Sequence, residues 1–565
     1  MNIYKLFLFS VNISLIFCSE LIQECEILNS YKSYVNDDEI HCCNSLHVEC
    51  DESESHIVSI NLRCDIKLEM RNKFSLETFL NQFPSLKKLD ISGNKLKGNL
   101  IIPNNTTLVE LDASKNYFKG KFVIPDNSEI GLFFSNGESK LEILNISNNQ
   151  LTGDLIIPKN STLVKLDARN NHFNGKLNIE EQTNLEELNI SNNKFKGELI
   201  IPPNSNLKTL DVSDNSFYGN LDLSECSKLE ELIANDNIFD GELNIQENQN
   251  LKILHAFNNE LKGDIIIPKN SNLKEIDVSK NKFNGKLVIP SNSELGLFFS
   301  IEESKLETLN ISNNQLTGDL IIPKNSALER LYANNNHFNG KLNIEEQTNL
   351  EELNISNNQL TGDLIIPKYS ALWKLDARNN HFNGKLNIEE QTNLEELNIS
   401  NNELKGELII PPNSNLKKLD VSDNSFYGDL NLPESSRLEI LIANDNNFDG
   451  ELNIQENQNL KILHAFNNEL RGDIIIPKNS NLKEIYLRNN KFKNYSCLIN
   501  IENDFPGCDD YKFKIYLFII IPLVVIIIIC FVVVIIKKIG NINKKEMKIN
   551  DNKTDELTIK VEDRN

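Results

Sequence analysis

The chain has 565 residues, 39% of them apolar and 25% charged, a balance that excludes a disordered polymer. Its 58 basic residues are outnumbered by 81 acidic ones, for a formal net charge of −23. That excess removes the basic footprint a nucleic-acid partner needs.

Met1 to Ser19 carries one cation, Lys5, an apolar run from Leu6 to Phe17 and small residues at its end, the layout of a secretory signal peptide. Residues 20–85 hold five cysteines, Cys25, Cys42, Cys43, Cys50 and Cys64. Cys497 and Cys508 close residues 495–512, while the long stretch between holds only Cys226. Cysteines grouped at both ends fit disulfide-bonded caps in an oxidising compartment, in preference to a zinc site with His41 and His47.

From Leu86 to Leu482 the chain repeats, with fifteen steps of 22 residues and two of 33, giving eighteen units over residues 86–494. The pattern is L-x-x-L-x-(I/V/A/L)-x-x-N-x-(L/F)-x-G-x-L-x-I-P, as in Leu86, Leu89, Ile91, Asn94, Leu96 and Gly98. All eighteen units have Asn at the ninth place, and seventeen have Gly at the thirteenth. Alternation around the fourth place predicts a short strand with its third, fifth and seventh side chains outward. The inward Asn should form a ladder serving backbone groups where the chain leaves that strand.

Read by these positions, the chain resembles the leucine-rich repeat family. The resemblance implies an α/β-type solenoid, a horseshoe whose concave face is one parallel sheet. Cys42-Cys43 followed by Cys50 and the stretch Ile57 to Leu62 resembles the N-terminal cap of plant-type extracellular members. Carried over by position, that cap implies pairing of Cys25 with Cys42 and of Cys43 with Cys50, with Cys64 left over.

The outward places were searched for chemistry. His172, His337 and His381 share one register and His255 and His464 another, so they recur by duplication and no nucleophile, acid or base stands in a unique place. Neither an enzyme nor a cofactor is expected. Asp90, Asp112, Asp167, Asp211, Asp277, Asp376 and Asp420 occupy fifth places; a solvated row is expected there in preference to a metal site. Ile440, Ile442, Ile462, His464, Phe466, Tyr486 and Arg488 gather outward apolar, aromatic and cationic groups on three successive strands, the composition of a binding hot spot. Packing against the C-terminal cap is the competing expectation. Two insertions, around Glu129 to Lys140 and Glu294 to Lys305, carry Phe133-Phe134 and Phe298-Phe299, expected to fill a widened core.

N-glycosylation sequons begin at Asn145, Asn189, Asn310, Asn354 and Asn398, all at fifth places, and at the irregular positions Asn104, Asn105, Asn160 and Asn494. Beyond the repeats, Ile515 to Ile536 is 22 residues without charge, which predicts a transmembrane helix within residues 513–536. Lys537, Lys538, Lys544, Lys545 and Lys548 follow it, placing the tail, residues 537–565, in the cytoplasm. This arrangement resembles plant receptor-like proteins: a plasma-membrane, single-pass type I chain that binds an extracellular peptide, protein or glycan and signals through a membrane co-receptor or kinase. A non-signalling adhesion or coat protein is the alternative.

Overall fold

The computed structural model describes residues 21–496 apart from 33–41, 45–46, 104–105, 124–139, 159–160, 178, 180–181, 203–204, 270, 290–304, 324–325, 369, 434–435 and 477–479. Residues 515–536, Cys497, Cys508, Asn104, Asn105, Asn160 and the Phe133-Phe134 and Phe298-Phe299 pairs lie outside the described residues. Among the described residues no helix is long and apolar enough to cross a membrane.

Each unit places a three-residue strand around its fourth-place leucine or isoleucine, from Lys88–Asp90 in the first to Glu484–Tyr486 in the last. These eighteen strands pair in parallel with their unit neighbours. Ile57–Asn61 continues the sheet at the N-terminal end, and Val48–Cys50 closes it with an antiparallel pairing. The fourth-place side chains are buried, except the half-buried Ile485 of the last unit, and the flanking third and fifth places are half-buried or exposed, as alternation requires. The two 33-residue steps leave this register unbroken, with Asp112 opposite Asn145 and Asp277 opposite Asn310.

The α/β character expected from the resemblance is not found. Within the described repeat residues there is no helix; the convex side carries short parallel strands such as Thr317–Ile321 against His337–Asn343. Only nine residues lie between a thirteenth-place Gly and the next first-place Leu in a 22-residue step. The Ile-Pro pairs in that stretch favour extended backbone and lack a proline N–H to donate.

A single apolar core runs the length of the array. Phe173, Phe195, Phe217 and Phe239, all at eleventh places, stack at centroid spacings of 5.7 to 6.2 Å with nearly parallel rings. The ninth-place Asn closes the polar accounts. Asn336 Nδ2 donates to the carbonyls of Ile311 (2.9 Å) and Ala333 (3.2 Å), and its Oδ1 accepts the Leu316 N–H at 3.1 Å. The same pattern joins each unit to the one before it, because a turn carrying unpaired buried amides would not be stable.

At the N-terminal end a helix over residues 21–31 and a short helix, Leu76–Leu80, cover the first strand, with Tyr31 edge-on to Phe79 at 5.0 Å. Ser75 caps the second helix by accepting the Thr78 N–H. Disulfides join Cys25 to Cys42 and Cys43 to Cys50, with Cα separations of 5.5 and 5.6 Å. This cap buries the end of a stack that would otherwise expose apolar strand faces to water.

Candidate ligand-binding site on the concave face

Along most of the concave sheet the outward side chains satisfy one another. Fifth-place Asp and Asn accept the N–H of the seventh place, as Asp211 does from Ser213 at 3.0 Å. Neighbouring fifth places then join laterally: Asn189 Nδ2 donates to Asp211 at 2.9 Å and Asn310 Nδ2 to Asp277 at 3.0 Å. Burial raises the carboxyl pKa of Asp167 and Asp376, against the hydrogen bonds from Arg169 and Arg378 that lower it. These perturbations come from strand packing and not from a catalytic arrangement. Among the described residues no group of three or more His, Cys, Asp or Glu is disposed to hold a metal ion.

A flanking rail of ion pairs runs along the second places, including Lys208 to Glu186 (2.7 Å), Lys417 to Glu395 (2.7 Å) and Lys461 to Glu439 (2.6 Å). These exposed pairs contribute little stability individually. They do commit most second-place charges to one another, so the rail frames the sheet along one side of the third, fifth and seventh places.

The polar ladder is interrupted near the C-terminal end. Strand register sets Ile440 beside Ile462, and Ile442 beside His464, which is itself beside Tyr486. His464 and Tyr486 lie 4.6 Å apart between ring centroids, and the Arg488 guanidinium sits 5.1 Å over the Phe466 ring. All seven residues singled out from the sequence therefore form one continuous surface. Ile440, Ile442, Ile462, His464, Phe466 and Tyr486 are half-buried and Arg488 is exposed. Half-burial leaves each apolar group with area still to remove from water, and a stacked Arg presents its donors outward.

One participant was missed by sequence reasoning. Glu484, at the third place of the last strand, takes the His464 Nε2 at 3.0 Å. The same 20-residue offset joins His255 to Glu275 at 2.8 Å and the Tyr332 hydroxyl to Glu352 at 2.7 Å. A signal existed: a fifth-place donor is followed 20 residues later by glutamate in all three cases. Burial, reinforced by Glu484, raises the Tyr486 phenol pKa, so this hydroxyl is a neutral donor at physiological pH.

Five segments, residues 140–159, 184–205, 305–324, 349–367 and 393–414, match the Leucine Rich Repeat family model. These five segments are leucine-rich repeats. Receptor-like protein 9DC1 of Solanum pimpinellifolium is 37% identical over 62 residues, which is 11% of this chain and 7% of that protein. The chain thus matches only a small part of the length of this relative. Among solved structures, the Arabidopsis receptor kinase HAESA in complex with the peptide hormone IDA and the co-receptor SERK1 aligns with a TM-score of 0.54 at 24% identity, over 84% of this chain and 90% of that one. YopM from Yersinia enterocolitica aligns with a TM-score of 0.52 at 28% identity, over 74% and 85%. A plant receptor ectodomain and a bacterial protein share this leucine-rich-repeat architecture, so function has to be argued from the concave surface itself.

The remaining residues of interest are dispersed through the repeats and the cap. Cys226 is buried in the repeat core, and burial, then Asp222 and Glu225, pushes its thiol pKa up to about 12. Cys64 in the cap is a free, exposed thiol. The sequon residues Asn145, Asn189, Asn310, Asn354 and Asn398 are half-buried at fifth places, each with its Oδ1 accepting from the seventh-place serine. Asn145, like Asn189 and Asn310, also engages its Nδ2, with Asp112 at 3.2 Å. Asn494 falls in the convex strand Asn494–Ser496.

Proposed function

We propose that this leucine-rich-repeat protein is a cell-surface recognition protein that binds an extracellular peptide or protein through the C-terminal end of its concave face. In this reading residues 1–19 are removed as a signal peptide, residues 495–512 form a cap closed by Cys497 and Cys508, and residues 513–536 anchor the chain with its tail inside. Signalling passes through a membrane co-receptor or kinase, as the complex of the receptor kinase HAESA with IDA and the co-receptor SERK1 exemplifies for another protein.

The observation that carries the proposal is the His464, Tyr486, Phe466 and Arg488 cluster, which stands where most of the face has self-satisfied Asp and Asn. A ligand laid there removes apolar area from water without breaking existing hydrogen bonds. N-glycans at the fifth-place sequons Asn145, Asn189, Asn310, Asn354 and Asn398 would cover the face around those strands and leave the C-terminal end open, as they would the sequon-free strands from Thr209–Asp211 to Glu275–Asp277. The test is capture from secreted and cell-wall fractions with the purified ectodomain. The wild type should enrich a ligand that Phe466→Ala and Arg488→Ala lose, and equal capture by all three would refute the assignment. Protease applied to intact cells should remove the repeats and spare a C-terminal tag.

A further inference from the structure

The concave face carries the centre of this patch twice. At an offset of 209 residues, Ile233, Ile253, His255 and Phe257 repeat Ile442, Ile462, His464 and Phe466. The copy keeps the local geometry: Glu231, Ile253 and Glu275 align across three strands, as do Ile233, His255 and Asp277. His255 is tied to Glu275 at 2.8 Å as His464 is to Glu484 at 3.0 Å. Ile233, Ile253 and Phe257 are half-buried, with apolar surface left facing the concave side.

Two differences separate the copies. First, the N-terminal one lies in the middle of the sheet, with paired strands on both sides, so packing against a terminal cap cannot account for it. Second, its charge is different. Over the outward places of the four strands from Thr209–Asp211 to Glu275–Asp277 and their seventh places, Asp211, Glu231, Glu275 and Asp277 are acidic and none is Lys or Arg, His255 being tied to Glu275. In the C-terminal window, Asp420 and Glu484 share the outward places with Arg488 and with Lys418, which is paired with Glu396 of the preceding strand. The lysines edging the N-terminal window do not neutralise it, because Lys208, Lys252 and Lys274 are paired with Glu186, Glu230 and Glu307 on the flanking rail.

We infer that Ile233, Ile253, His255 and Phe257 with Glu231 and Asp277 form a second docking surface, whose occupant is an extended peptide segment of a partner carrying Lys or Arg beside apolar side chains. Charge complementarity selects the occupant: an ammonium or guanidinium near Glu231 and Asp277 meets uncompensated carboxylates, while its aliphatic stem and an apolar neighbour cover Phe257 and the isoleucines. Asp277 keeps one oxygen on Ser279 and the other on Asn310, so it supplies a fixed charge instead of a mobile side chain. Nine strand steps separate the copies, roughly 43 Å along the sheet, so the two surfaces act independently of each other and this one does not depend on the C-terminal assignment.

The probe is a labelled eight-residue peptide of alternating Lys and Phe, titrated into the purified secreted ectodomain. Alternating Lys and Ser, and alternating Glu and Phe, serve as controls. The Lys–Phe peptide should bind, weaken with added salt, and lose about fivefold or more in affinity on Phe257→Ala or Glu231→Gln. Phe466→Ala should leave its affinity unchanged. The pair Asp277→Tyr with Ser279→Arg, which brings the net charge of the N-terminal window from −4 to −2, should reduce the preference for Lys–Phe over Glu–Phe. Glu231→Gln is a neutral exchange at a half-exposed strand position, so it tests the surface without threatening the fold. Absence of Lys–Phe binding overturns the inference. So does binding indifferent to both Phe257→Ala and Glu231→Gln, binding matched by the Lys–Ser peptide, or binding lost equally on Phe466→Ala.

Discussion

Asn335 and Asn336 are adjacent, chemically identical and held for different reasons. Asn336 is 4% exposed and its amide joins two units through hydrogen bonds to Ile311, Ala333 and Leu316. Asn335 is exposed, has a φ of 56°, and gives its Nδ2 to Asn313 Oδ1 at 2.9 Å. The ninth place is constrained by what its side chain bonds, whereas the eighth is constrained by what its backbone must do. From Lys115 to Asn489 every eighth place has positive φ, and its occupants are Asn, Asp or Lys. Short polar side chains that tolerate the left-handed region are favoured there. Abundance of one residue type in a repeat is therefore no guide to a shared duty, and the two rows can be separated by substitution.

The largest effect is expected at the buried row. Asn336→Ala leaves the Leu316 N–H buried without its partner and removes one of the two amide donors to the Ile311 carbonyl, which keeps Asn314 Nδ2 at 3.1 Å, a loss of about 2 kcal/mol, read as a lower urea midpoint. A loss below about 1 kcal/mol would mean that water replaces the amide and that the ladder is dispensable there. Next comes Gly340→Ala. Gly340 does not need positive φ; it is glycine because a Cβ would collide with the Asp319 carboxylate, which accepts the Lys341 N–H at 2.7 Å. Displacing that carboxylate should cost about 1 to 3 kcal/mol, and Asp319→Gly in the same chain should recover part of it if the collision is the cause.

At the eighth place Asn335→Ala should cost about 1 kcal/mol through the left-handed backbone, while Asn335→Gly should fall within about 0.5 kcal/mol of wild type. If both substitutions cost the same, the exposed amide ladder and not φ is what matters. The smallest effect is a change of sign in the same row. Asp423 and Asp445 are successive eighth places, and burial, then Asp445 and Asp420, raises the Asp423 carboxyl pKa. A raised folded-state pKa means that the ionised form is disfavoured on folding, a penalty present above that pKa and relieved as pH falls through it. Asp423→Asn should therefore stabilise at neutral pH, by no more than about 0.5 kcal/mol after solvent screening. The gain should vanish below the ordinary carboxylate range, and a gain independent of pH would assign it to the added amide instead.

The 22-residue spacing alone determined the number of units, the inward leucines, the ninth-place ladder and the seven residues of the C-terminal patch, because each depends only on position within a repeat that stacks on its copy. The convex face was misjudged: the family resemblance implied helices, and the Ile-Pro stretches are too short and too poor in donors to form them. Eighth-place φ, the collision that keeps Gly340 a glycine, and the pairing of His464 with Glu484 were decided by tertiary structure. The last two join residues 21 and 20 positions apart across neighbouring units, a contact that exists only once strands stack at about 4.8 Å. A periodic sequence states what each unit contains, but which side chains of two units meet is fixed by the stacking geometry.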